Sequence, residues 1–112
     1  MVDRQERKYR RFELECPVLV RYQAARSSIE VQAISQNMST GGLLVKSPSL
    51  IPERTPVTFI ISVQGELAVQ PIYLAGEGEI VRIEKYHDNE TFAIAVECRV
   101  PIVRLEEYLP LT

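Results

Sequence analysis

The sequence predicts an all-β fold: a six-stranded antiparallel barrel with a short C-terminal helix and a flexible basic N-terminal arm. Three observations predict it. Apolar residues recur at every second position in short runs, the period of strands that bury one face. Turn-forming clusters separate the runs, and no helical pattern alternates with them. Apolar side chains are nearly absent before Phe12, so the leading segment cannot bury itself. The chain therefore divides into a basic arm over residues 1–11 and a barrel with its terminal helix over residues 12–112.

The arm ends Arg7-Lys8-Tyr9-Arg10-Arg11. Residues 1–11 hold five basic and two acidic side chains, a balance of +3. The remainder holds 8 basic and 13 acidic, a balance of −5, and the two sum to the −2 of the whole chain. Positive charge is thus concentrated at one end of an otherwise acidic protein. A guanidinium is a flat fork of donors that matches phosphate and the acceptor edge of guanine. Several forks on a movable arm suit an anion clamp. A solvated tail is the other reading of the same run.

The strands follow in order. Cys16, Val18, Val20 and Tyr22 fall on one face of a first strand over 16–22, with Pro17 at its start, where a missing donor is tolerated. Residues 24–28 are small and polar and form a turn. Ile29, Val31 and Ala33 mark a second strand. The pattern breaks over 35–42, where Ser, Asn, Thr and Gly dominate and a shaped turn is predicted. A third strand covers 43–46. Three prolines over 47–56 make a surface loop. Val57, Phe59, Ile61 and Val63 are the cleanest alternation in the chain. The next strand, 73–86, is long, and Gly76 and Gly78 predict a bulge or bend within it. Residues 88–90 turn, and Phe92, Ile94 and Val96 give the sixth strand. Ile102, Leu105 and Leu109 then recur at helical spacing, with Pro101 suited to the first turn and Pro110 to the end. That helix packs on the barrel wall, covers one open end, or binds a partner.

Composition narrows the function. A chain of 112 residues fits one domain, able to bury about two-thirds of its unfolded surface without disulfides or metals. The acidic pI near 5.5 excludes a general nucleic-acid coat. The aromatic residues sit mostly at alternating strand positions and read as internal, Tyr9 excepted, so no stacking platform for DNA or RNA is evident. No apolar run is long enough to span a membrane, and the N-terminus is charged where a signal peptide is apolar. A cytoplasmic, bacterial protein is expected. Cys16 and Cys98 are far apart and read as small buried thiols. The single histidine, His87, lies in a polar turn, so neither a metal site nor a catalytic dyad is indicated and no cofactor is expected.

Two short motifs remain. The arm carries Arg7-x-x-x-Arg11, and the predicted turn reads Asn37-Met38-Ser39-Thr40-Gly41-Gly42, an N-x-S-x-x-G pattern beginning 26 positions after Arg11. Each alone is common. In this order, with two strands between them and a third directly after Gly42, they resemble the R-x-x-x-R and D/N-x-S-x-x-G signatures of PilZ domains. Pro17, the run over 78–81 and the strand over 92–96 also look like that family, so the resemblance extends from about residue 7 to 109. It implies a PilZ-type barrel that binds the bacterial second messenger cyclic di-GMP, through Arg7, Arg10, Arg11, Asn37, Ser39, Gly41 and Gly42.

The chemistry of these residues agrees. Arg7 and Arg11 can each grip phosphate oxygens or the O6/N7 edge of guanine, a two-pronged contact lysine cannot make. Arg10 contacts phosphate or faces water. The Asn37 amide oxygen can accept from guanine N–H groups, and the Ser39 hydroxyl can do likewise or bond phosphate. Gly42 allows unusual dihedrals and close ligand approach. These three residues also suit a tight turn with no ligand. Glu6 stands where many family members carry a further arginine, a position linked to whether one or two ligands stack in the site. Asn37 replaces the commoner aspartate and removes a charge.

The expected function is a non-enzymatic receptor. Ligand would order the arm on the barrel, and a partner protein would read the new surface. The alternative is an adaptor of the same fold that works through protein contacts without nucleotide. The chain is expected to be monomeric or a homodimer.

Overall fold

The computed structural model describes residues 15–39, 41–64 and 72–105. All six expected strands are present there, most of them longer than the apolar runs that announce them. They are β1 (Pro17–Ala24), β2 (Ser27–Ser39), β3 (Gly42–Ser47), β4 (Pro56–Val63), β5 (Ile72–Lys85) and β6 (Phe92–Cys98). All pair antiparallel in the order β4-β1-β2-β3-β6-β5, and β4 pairs with β5 to close the barrel. The long β5 makes closure possible. It pairs with β4 through Ile72–Glu79 and with β6 through Gly78–Lys85, passing from one neighbour to the other near Gly78.

Alternation fills the interior as the period of two requires. Val18 and Val20, Val31 and Ala33, Leu43 and Val45, Val57, Phe59 and Ile61, Ile80, and Ile94 and Val96 are all buried. Each large apolar side chain so enclosed stabilises the fold by about 1.5–3 kcal/mol. The loop over residues 48–55 does more than cross the surface: its Ile51 is 0% exposed and belongs to the core. Ser47 fixes the start of that loop, its hydroxyl donating to the Ser49 carbonyl at 2.7 Å and accepting from the Ser49 amide at 3.1 Å.

Three expectations need correction. Gly76 and Gly78 do not form the bulge in β5; the register slips between Ile80 and Arg82, at Val81. The two glycines are there because neighbours come too close for a side chain. A Cβ on Gly76 would lie 2.5 Å from Cζ of Phe59, and one on Gly78 would lie 2.4 Å from the Glu97 carbonyl oxygen. The residues over 35–39 are not a turn, because β2 continues through them to Ser39. The C-terminal helix does not begin at Pro101. Val103–Arg104 forms a short strand, β7, against Ala75 and Leu74, and of the described residues only Leu105 is helical. The edge of β5 beyond β6 would otherwise leave backbone donors and acceptors unpaired, and β7 satisfies them. The rest of the expected helix, residues 106–109, lies outside the described residues, as does the arm.

Candidate ligand-binding site

The motif residues Asn37 and Ser39 both lie on β2. Strict alternation after Val31, Ala33 and Ser35 would turn Asn37 into the core. A bulge prevents this. Ser35 pairs with Val45 and Asn37 with Leu44, so Gln36 is the extra residue between them. The face assignment shifts by one, Met38 is buried at 7% exposure, and Asn37 and Ser39 stand half-buried on the outer wall, two residues apart. Ser39 pairs with Gly42 across the two-residue turn that joins β2 to β3. Thr40, inside that turn, lies outside the described residues.

The turn is tied down from two directions. The Gly41 amide donates to Ser39 Oγ at 3.2 Å, and the Gly41 carbonyl accepts from the Cys98 amide at 3.0 Å. A Ser39 hydroxyl that accepts from Gly41 still has its own O–H to donate, which suits a phosphate oxygen better than a guanine N–H. Gly42 does not use the left-handed region that its place in the motif suggests. Its need is space: an added Cβ would sit 3.0 Å from the Val96 carbonyl oxygen.

Arg7, Arg10 and Arg11 lie outside the described residues, but the point where their segment meets the barrel is defined. The Cys16 amide donates to Ser35 Oγ at 2.9 Å, and the Ser35 amide donates to the Cys16 carbonyl at 2.8 Å. Ser35 is fully buried and two residues from Asn37. An extended chain spans at most about 3.6 Å per residue, so Arg11 is attached within roughly 18 Å of that clamp and Arg7 within roughly 32 Å. Both tethers are long enough to bring the arginines to the Asn37–Ser39 corner. Sequence reasoning passed over Ser35 in this role. The available signal was a hydroxyl residue in an inward-facing position of an otherwise apolar series.

The two cysteines and the histidine lie apart from this corner or are held protonated. Burial, and then the nearby Glu97 charge, push the Cys98 thiol up to about 11. Burial also raises Cys16 against the opposing hydrogen bond from Ser35. Thiols of this kind stay protonated near neutrality. His87 lies in the exposed β5–β6 turn, at the opposite end of β6 from Cys98. Among the described residues no cluster of three His, Cys, Asp or Glu side chains could hold a metal, and no helix is long and apolar enough to cross a membrane.

The aromatic side chains are less internal than expected. Phe59 is buried, but Tyr22, Tyr86 and Phe92 are half-buried and Tyr73 is 42% exposed. Tyr73 lines an open apolar groove of ≈ 590 Å³ with Pro17, Leu19, Ile34 and Ile60. That groove crosses the outer faces of β1 and β4, on the other side of β2 from Leu44.

Comparisons with known proteins bear on the fold and the family. No curated protein sequence matches the chain. Among solved structures, the Bacillus subtilis inhibitor of motility (MotI/DgrA) superposes with a TM-score of 0.68 at 17% identity, covering 90% of this chain and 45% of that one. The chain thus spans less than half the length of that protein. The PilZ domain of YcgR from Escherichia coli, solved with c-di-GMP, gives a TM-score of 0.45 at 17% identity, covering 90% and 79%. The family model of the PilZ domain matches residues 5–109, from the basic segment to the end of the last apolar spacing, and the chain belongs to the PilZ domain family.

Proposed function

We propose that this chain is a cyclic di-GMP receptor without catalytic activity, acting in the bacterial cytoplasm. The observation that carries the reading is the bulge at Gln36. It sets Asn37 and Ser39 side by side on the outer wall, next to the clamp from which the arginine segment departs. Arg7 and Arg11 would supply forks to the phosphates or guanine edges, with Arg10 beside them. Asn37 would accept from a guanine, Ser39 would donate to a phosphate, and the backbone of Gly41 and Gly42 would leave the ligand room. Membership of the PilZ family supports the choice of ligand. Ligand-bound arm and barrel together would present the surface that a partner protein reads.

Calorimetric titration of cyclic di-GMP tests this directly. Wild type should bind with an affinity that falls as salt rises, because guanidinium contacts dominate. Arg7→Ala, Arg11→Ala and Asn37→Ala should each weaken binding. Absence of binding by wild type at saturating ligand sinks the proposal, and wild-type affinity in all three variants moves the site elsewhere. The rival reading is an adaptor that contacts proteins and no nucleotide. The exposed apolar groove around Tyr73 and Ile34 favours it. It predicts no heat in the same titration.

A further inference from the structure

We propose that Arg82 is a further binding residue of the same site, facing Asn37 across the barrel wall. The inference rests on the cyclic di-GMP reading above. Its basis is a second bulge. Ile80 pairs with Val96 and is buried, whereas Arg82 pairs with Ala95, so Val81 is the extra residue on β5. Strict alternation after Ile80 would have turned Arg82 inward; the bulge turns it out. Following the register sideways, Asn37 pairs with Leu44, Leu44 with Ala95, and Ala95 with Arg82. Two separate bulges, one on β2 and one on β5, therefore deliver an amide and a guanidinium to opposite ends of one cross-strand row. Bulges that re-aim side chains in this way are common beside binding sites.

The row suits a flat ligand. Three inter-strand steps separate its ends, roughly 14 Å, a span that a dinucleotide with two bases can bridge. Its middle is low. Ala95, together with Ala93 in the next row, projects no more than a methyl group, and Leu44 adds an apolar floor. Beyond the floor, Lys46 lies over the Tyr86 ring at 4.9 Å from its centroid.

Carboxylates surround the row. Glu97 pairs with Gly42 and Glu79 with Glu97 on one side, and Glu84 stands with Ala93 on the other. Such a wall repels a bare anion unless a fixed cation offsets it, and Arg82 is placed to do so. Its ion pair among the described residues is loose: Nε to Glu84 Oε2 at 4.0 Å, with both side chains more than half exposed. A pair so solvated holds its partner weakly, so the fork can turn toward a ligand acceptor.

The test is calorimetric titration of cyclic di-GMP into wild type, Arg82→Ala, Arg82→Lys and Asn37→Ala, with thermal melts of each. Arg82→Ala should weaken binding by about ten- to hundred-fold, the range for loss of a two-pronged arginine contact. Arg82→Lys should recover only a small part, because it restores charge without the fork. The melts should coincide with wild type, since the side chain is solvated. Wild-type affinity in Arg82→Ala overturns the proposal, and if Asn37→Ala loses binding in the same series, the receptor reading survives that failure. Full recovery in Arg82→Lys also overturns it, because a point charge would then suffice. Absence of binding by wild type removes both.

Discussion

Gly78 is where the barrel closes, and replacing it by alanine should be far costlier than a strand glycine normally is. The residue pairs with Val57 on one side and Cys98 on the other, at the point where β5 passes from β4 to β6. An added Cβ would lie 2.4 Å from the Glu97 carbonyl oxygen and 2.8 Å from Val96 Cγ1. Ordinary carbon contacts sit at about 3.5–4.0 Å, so the overlap is close to an ångström. The obstacle is backbone, so no rotamer change relieves it. Gly→Ala by itself stabilises by about 0.4–1 kcal/mol through the unfolded chain, whereas overpacking of a well-filled core costs about 1–3 kcal/mol and sometimes more. A net loss of about 2 kcal/mol is expected for Gly78→Ala. Gly76→Ala, facing the buried Phe59 ring at 2.5 Å, should lose a comparable amount. Gly42→Ala, whose nearest contact is 3.0 Å, should lose less than either. Urea unfolding measures the series. With a slope of about 1–2 kcal/mol/M, the Gly78→Ala midpoint should fall by about 1–2 M at unchanged slope. A Gly78→Ala midpoint equal to wild type, or a Gly42→Ala loss larger than that of Gly78→Ala, would refute close approach as the reason for glycine in β5.

Two further outcomes are expected. Ile51→Ala should destabilise by about 2–4 kcal/mol, as for a fully enclosed aliphatic side chain; denaturant unfolding checks it, and a loss typical of a surface loop would mean that Ile51 is not part of the core. Asp88 accepts from the amides of Glu90 and Thr91 at 2.8 and 3.0 Å, and these bonds hold its carboxyl below the ordinary value. Because the folded value is the lower one, its contribution is complete above the unfolded carboxylate value and is lost as pH falls through the folded value. Melting temperatures taken from neutral pH into acid should show Asp88→Asn converging on wild type at the acid end, and an unchanging gap would count against the turn as described.

How much of this was legible depended on whether the information was periodic. Val57, Phe59 and Ile61 announce a strand because two neighbours of the same kind support each assignment, and the same holds for Val18 with Val20 and for Ile94 with Val96. Closure of six such strands was then the economical way to hide their edges. Ile51 had no periodic neighbours, and the prolines around it spoke only for a loop. Gly76 and Gly78 drew the right emphasis for the wrong reason. A glycine in a strand marks a bend or a close approach, and only the position of Phe59 and Glu97 across the barrel decides which. β7 was hidden because Ile102 and Leu105 fit helical spacing, while the unpaired edge at Leu74 and Ala75 that draws Val103 and Arg104 into a strand is a tertiary fact. The motif at Asn37 was visible as residues, but its setting was not. A polar-rich stretch reads as a turn until the pairing of Leu44 and Val45 shows the strand continuing through it.

The bulges explain how one strand pattern can serve two demands. The inward series must stay apolar for the barrel to be stable, so a polar residue cannot be added to it without cost. An extra residue changes which side chains belong to that series. At Gln36 and again at Val81 the inserted residue preserves the apolar set, through Met38 and Ile83, and releases Asn37 and Arg82 to the outside. Side chains turned outward this way are supported by the core without forming part of it. On the receptor reading proposed above, substitutions at Asn37 or Arg82 should act on affinity and leave the melt nearly unmoved, whereas changes at Gly42, packed on the Val96 backbone, and at Ser39, whose hydroxyl holds the Gly41 amide, should act on both. Separation of affinity from stability along the outer row, and its failure at Gly42, is the behaviour this construction requires.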